Sequence, residues 1–299
     1  MNNNNSNGVN WDETTWQDIN DAVVKEVAKV RVAQKVFPTI ALDSNPTEIP
    51  NDVITFADDG PSIQEGRTKS LIEIYLEFPL TATQVNREPQ IKTCKTLARM
   101  AAKAIALAED TIILQGNNGP LPANVQADLR ESANGGLLGE AYPERPDDED
   151  PGRVSRPIDV ELVGGDRPGL LYGEHLFSAV AYGIAKLTRK AQAPKYALFL
   201  PIRTYADTFV PPSPASLVTT AERIKPLVEG GFYGTGTLPE NSGLLVALAG
   251  DPTTLYIGRE ATTEFVRKEG SRYRFRVVER VQFVARDPRA FVFFNLVQP

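Results

Sequence analysis

One cysteine and one histidine in 299 residues close off much of protein chemistry before any pattern is read. Cys94 alone permits no internal disulfide, and His175 alone rules out every site that needs two imidazoles. No apolar run approaches the roughly 18 residues of a membrane-spanning helix. Residues 1–10 are polar and asparagine-rich, lacking the basic end and apolar segment of a secretory signal. A cytoplasmic chain with no membrane partner is therefore expected. No Walker loop is present, and the Gly-x-Gly at Gly234 and Gly236 lacks the third glycine of a dinucleotide fingerprint. No serine stands in a Gly-x-Ser-x-Gly context, so a soluble hydrolase would have only His175 to offer as base. A net charge of −6 argues against nucleic acid as the main partner.

What is present reads as a large globular chain. Hydrophobic residues at 41% and charged residues at 23% are ordinary values, and the length suffices for one large or two closely joined domains. The dominant element is a long helix expected over residues 90–116. From Leu97, apolar residues recur at Met100, Ala101, Ala104, Ile105, Ala108 and Ile112, one face at 3.6 residues per turn, with Lys92, Lys95, Arg99 and Lys103 opposite. Gly116 is placed to end it. Glu109 and Asp110 sit near the negative end of the helix dipole, so a partner such as an arginine is expected. Adjacent on a helix, they diverge by about 100° and do not form an acid and base pair. Cys94, beside Lys95 on this helix, reads as a bystander thiol, and His175, beside Leu176 and Phe177, as a structural histidine.

A second amphipathic helix is expected over residues 11–36, with Trp16, Ile19, Val23, Val27 and Val30 at steps of three and four and Asp12 as N-cap. Phe37-Pro38 ends it. Residues 1–10 are expected to be disordered. Residues 45–66, rich in proline and turn signals, read as an extended arm. Residues 71–78 follow as a strand, with Ile72, Ile74, Leu76 and Phe78 on one face and Glu73 and Glu77 on the other. Residues 117–169 are loop-like; the acidic run 147–150 lacks the alternating ligands and central glycine of a calcium loop and reads as a solvated loop. Then come a helix over 170–190, short apolar strands at 196–200 and 244–248, a short helix at 221–228, and β-rich stretches at 273–284 and 290–296. In the first of these, Tyr273, Phe275 and Val277 oppose Arg274 and Arg276. These parts bury one another poorly within one subunit, which suits an assembling protein.

Several strings, in this order, carry a resemblance over nearly the whole chain. They are Trp16-Gln-Asp-Ile19, Gly66-Arg-Thr-Lys-Ser70 and Ala108-Glu-Asp-Thr-Ile-Ile-Leu-Gln-Gly116, then Pro226-Leu-Val-Glu-Gly-Gly231, Tyr256-Ile-Gly258 and Phe283-Val-Ala-Arg-Asp-Pro-Arg-Ala290. The chain resembles the encapsulins, shell-forming bacterial proteins with the HK97 major-capsid-like fold, catalogued as linocin-type bacteriocins. The 117–169 segment looks longer than the family's loop, and the asparagine-rich leader departs from it.

The resemblance implies an α+β fold. Its parts are a leader at 1–10, an N-terminal helix and arm at 11–45, an extended E-loop at 46–79, a peripheral domain at 80–195 and 258–299 that includes the 117–169 insertion, and an axial domain at 196–257. It implies a type 1 encapsulin nanocompartment: an icosahedral homo-oligomeric shell that takes up a cargo enzyme by its C-terminal targeting peptide. Dye-decolourising peroxidases or ferritin-like iron oxidases are the cargo classes, which would tie the shell to oxidative stress or iron storage. The cargo groove maps by position to Val24, Val27, Val30, Phe37, Phe265 and Val266. The fivefold pore loop maps to Pro211, Pro212, Ser213, Pro214, Ala215, Ser216, Leu217 and Val218, with Thr219 and Thr220 beside it. Contacts of the E-loop with a neighbouring copy map to Ile63, Ile72, Ile74, Leu76 and Phe78. No catalytic residue, metal site or cofactor is expected; flavin binds some relatives, but no motif for it appears. A tailed-phage major capsid protein is the alternative, and a helix that begins by Trp11, where such proteins carry a scaffolding segment, favours the compartment.

Overall fold

A computed structural model describes residues 8–57, 60–129, 135–141, 146–150, 152–163, 172–211 and 218–297. In chain order the helices are α1 (Glu13–Val30), α2 (Ala33–Val36), α3 (Ala82–Asn86), α4 (Glu88–Ile91), α5 (Thr93–Gln115), α6 (Gly136–Ala141), α7 (Gly173–Arg189), α8 (Ile202–Asp207) and α9 (Thr220–Ile224). The strands are β1 (Thr39–Ala41), β2 (Glu48–Pro50), β3 (Val53–Ala57), β4 (Gly60–Gln64), β5 (Thr68–Ser70), β6 (Ile72–Thr81) and β7 (Gln126–Ala127), then β8 (Ile158–Val160), β9 (Tyr196–Pro201), β10 (Gly231–Thr235), β11 (Ser242–Ala247), β12 (Thr253–Glu269), β13 (Arg272–Ala285) and β14 (Phe291–Leu296).

The spine is α5, about 35 Å long at 1.5 Å per residue. It starts later than its pattern suggests because Lys92 adopts a left-handed conformation at φ 50°. The preceding turn folds back, and the Glu88 carboxylate accepts from the amides of Cys94 (2.7 Å) and Lys95 (2.9 Å), supplying the missing cap. Gly116 ends it at φ 65°, a conformation costly for any residue with a Cβ. The buried face runs through Ala98, Ala101, Ala102, Ile105, Ala108 and Ile112, whereas Met100 is 64% exposed. Met100 thus lies off the core-facing stripe expected of it. Burial raises the pKa of the Cys94 thiol, with Glu88 adding to the effect, which leaves the thiol inert.

Two sheets flank the spine. The first has the order β1-β12-β13-β6-β7, with β13 paired antiparallel to both β12 and β6. Its inner face packs with α1 and α5 around Ile19, Val23, Ile105, Phe275 and Val277. The second has the order β10-β9-β11-β14-β8; α7 covers one face, and the end of α5, α2 and α6 cover the other. Residues Phe291–Leu296 and Ile158–Val160 join this sheet, so its layer draws on segments outside 196–257.

Three expectations change. Ile72, Ile74 and Phe78 are buried in the subunit's own core, because β6 pairs with β13 over its whole length; only Ile63, at 61% exposure, sits on the projecting arm. Val9, at the end of the leader, is buried against the first sheet, and Trp11 stacks on Phe275 at 5.2 Å; residues 1–7 lie outside the described residues. The acidic run is anchored, not solvated. The buried Lys190 ammonium donates to the carbonyls of Asp147 (2.7 Å), Asp150 (2.8 Å) and Arg153 (2.6 Å), and Lys186 holds Asp148 at 2.9 Å.

The arm itself is two short antiparallel ladders, β2 with β5 and β3 with β4. The inner ladder is seated on its own subunit: Ile49 is buried against Tyr256 and Val284, and Gln282 donates to the Ser70 carbonyl at 2.7 Å. The outer ladder, β3 with β4, touches it lightly: the Ile54 amide donates to the Arg286 carbonyl at 2.7 Å, and the Arg289 guanidinium lies 3.4 Å from the Phe56 ring centroid.

Candidate functional site: the groove beside the first helix

The first helix forms because Asp12 accepts from the Thr15 amide at 2.8 Å and its apolar residues face the spine. It stops at Val30: Arg31 turns extended at φ −52°, ψ 134°, and the short α2 restarts with the Val32 and Ala33 amides donating to the Asp110 carboxylate at 2.8 and 2.9 Å. Asp110 at the end of the spine therefore caps α2. Asn20 joins α1 to the first sheet by accepting from the Thr263 amide at 2.8 Å.

Across from the helix, β12 carries a bulge. Its pairing with β13 shifts register between Arg259 and Thr262, and such irregularities re-aim side chains and bend the strand. Glu260 and Ala261 lie at this point and line, with Val24, Val27, Ala28 and Arg31 of the first helix segment and Gln34 and Lys35 of α2, a groove of about 270 Å³. Val24 is 47% exposed, whereas Val27, at 1%, is its floor.

Beneath the groove lies an unusual charge cluster. The side chain of Arg31 is 6% exposed and pairs with Glu109 of α5 and Glu279 of β13, both fully buried; it also reaches Glu260 on the rim at 3.7 Å. Gln34 donates to the second oxygen of Glu109 at 2.8 Å. Glu279 Oε2 is buried with no hydrogen-bond partner among the described residues. Burial pushes Glu279 up to about 7 against the pull of Arg31, and burial with the neighbouring Glu279 drives Glu109 well above the usual carboxylate range. Burial raises Asp110 to about 6 despite its two amide donors. One helical turn away, Glu26 is held down to about 2, chiefly by the hydrogen-bonded Arg99.

The expected groove residues divide. Val24 and Val27 line the groove, and Val30 packs half-buried against the first core. Phe37 does not take part: it is buried under the second sheet, 5.9 Å from the Phe199 ring. Phe265 and Val266 lie further along β12, where Phe265 packs on Phe275 at 5.6 Å and Tyr273 at 6.1 Å. Sequence reasoning passed over Ala28, Arg31, Gln34, Lys35, Glu260 and Ala261. The first two stand at i+4 and i+7 from Val24, on the same helix face, and were findable; the others depend on a helix break and a strand bulge that no periodicity announces.

Of the expected pore loop, residues 212–217 lie outside the described residues. Pro211 and Val218 are exposed at its ends. Thr219 is committed to a capping box with Glu222, and Thr220 is buried, so neither is free to line an opening. His175 is exposed, its Nδ1 2.9 Å from the Glu161 carbonyl oxygen. Among the described residues no cluster of three or more histidine, cysteine or acidic side chains is arranged to hold a metal ion, and no helix is long and apolar enough to cross a membrane.

The fold is that of the HK97-type capsid proteins. A virus-like particle from Pyrococcus furiosus matches with a TM-score of 0.66 at 16% identity, over 94% of this chain and 99% of that one. The capsid of an empty GTA particle matches at 0.59 and 12%, over 90% and 97%, and Mycobacterium phage Bobi at 0.55 and 13%, over 92% and 91%. Within that class, residues 169–282 match the family described as the encapsulating protein for peroxidase. The matched structures are described as a virus-like particle, a capsid and a phage. No curated protein matches by sequence.

Proposed function

We propose that this chain is the building block of an encapsulin-type compartment: copies assemble into a closed icosahedral particle that encloses a cargo enzyme and admits small molecules through its openings. The observation that carries the reading is the coincidence of a capsid fold over more than nine-tenths of the chain with an encapsulating-family match in residues 169–282. The family description makes a peroxidase the leading cargo, with a ferritin-like iron oxidase second. The groove beside α1 suits an extended C-terminal tail that orders on docking, with an apolar floor at Val27 and charge on both rims at Lys35 and Glu260. The arm supplies the contact between neighbouring copies, and the loop 211–218 supplies the fivefold opening.

A phage major capsid protein is the second reading, favoured by the near-complete coverage of phage capsid chains. Electron microscopy of particles from the native host separates the two. Protein-filled shells support the compartment, and DNA-filled heads with tails overturn it.

A further inference from the structure

The buried cluster under the groove holds more acid than base. Arg31 brings one positive charge to Glu109, Asp110 and Glu279, each at most 1% exposed, so with every acid ionised the site carries two uncompensated negative charges away from water. Such a state is costly, and a buried acid relieves it by keeping a proton. Glu279 Oε2, buried and without a hydrogen-bond partner among the described residues, is a place where that proton can sit without breaking a contact. The surrounding charges do not change the count in a way that removes the need. Glu260 on β12 adds acid at the exposed rim. Lys35 on α2 reaches out to the Lys29 carbonyl at 3.1 Å, and Glu26 on α1 is already held by Arg99 and Lys103 of the spine. On β12 the neighbouring Arg259 is taken by Glu264 at 2.7 Å, and on β13 Arg280 is taken by Asn45 at 2.7 Å.

The cluster is also the hinge pin of the groove. Arg31 is the residue at which α1 stops, Asp110 holds the first two amides after it, and Gln34 of α2 rests on Glu109. We infer that proton binding by the Arg31–Glu109–Glu279 cluster sets the firmness of the α1–α2 junction, so that the groove is held in shape under acid conditions and loosens as the proton is lost. The inference rests on the groove reading for its consequence, which is that tail docking tightens as pH falls, but not for its physics.

The sign follows from where the acids titrate. Carboxyls that are ordinary acids when the junction opens, near 4.5 for Glu279, but sit at about 7 when it is closed, favour the closed form fully below the lower value. That advantage is lost as pH rises between the two and is gone above about 7. One linked proton changes the opening equilibrium by at most about tenfold per pH unit inside that window.

The test is hydrogen exchange of the assembled full chain at pH 5 and pH 7.5, corrected for intrinsic rates, with particle size checked to be constant. The readout is the Val32 and Ala33 amides against interior amides of α5. Opening at Val32 and Ala33 should rise at least tenfold between the two conditions while the spine is unchanged, and Glu279→Gln, which mimics the protonated acid, should make that rise at least threefold smaller, Glu109 and Asp110 keeping the remainder. A flat or reversed response in the unmodified chain, or an equal rise in the Glu279→Gln variant, would overturn the inference. Docking is read separately: if Val24→Asp leaves cargo loading unchanged, the groove reading fails while the exchange result stands or falls by itself.

Discussion

The junction between the first helix and the spine and the outer ladder of the arm, β3 with β4, are built on opposite principles. At the junction an arginine, three carboxylates and the first two amides of α2 complete one another inside a single subunit, and almost nothing there faces water. The outer ladder keeps Ile63 at 61% and Phe56 at 36% exposure and meets its own subunit at Arg286 and Arg289. A short two-stranded ladder is marginal in water without a covering surface. On the proposed reading, the contrast separates the part of the chain that one copy finishes alone from the part left for a neighbour.

The strongest way to break the comparison is at the junction. Arg31→Met should cost about 3–5 kcal/mol at pH 7.5, because it strands Glu109 and Glu279 as buried charges. The loss should shrink at pH 5, where those acids bind protons. Urea unfolding at the two pH values checks both statements; a loss that is small, or equal at both, would mean that the cluster is not a closed charge system. Removing residues 50–62 of the arm should act in the other sense. The subunit should stay folded by circular dichroism, with a small change in unfolding midpoint, while closed particles disappear by light scattering. Normal particles from that deletion would contradict the arm assignment. The smallest expected effect on stability is Val24→Asp, within about 0.5 kcal/mol for an exposed site, yet it should abolish cargo capture. Val27→Asp would not serve as a clean probe, because Val27 is 1% exposed and a charge there unfolds the helix seat before it tests docking.

Much of this architecture was legible in the chain. The spine, the first helix, β6, β13 and α7 carry a period of 3.6 or 2 that departs from the buried face at Met100, and β9 and β11 stand out as short continuous apolar runs, buried throughout. The need of Glu109 and Asp110 for a partner was also readable, since acids at a helix C-terminus are unstable alone. What was hidden lies where local rules are overruled from a distance. The longest strand, β12, has its alternation scrambled by register shifts at Ile257, Arg259 and Phe265, so its sequence does not read as one strand. Phe37 looks like a groove residue by its position after the helix, but the break at Arg31 turns it under the second sheet. The arm and the strand that follows it read as one exposed unit because pairing of β6 with β13, some two hundred residues away, leaves no local mark.

The mass of the purified protein under gentle buffer conditions, by light scattering or native mass spectrometry, tests the shell reading most directly. A uniform closed particle many times heavier than the 32.7 kDa chain is the predicted result. A stable monomer at 32.7 kDa, with the arm as protected from exchange as the spine, would contradict it.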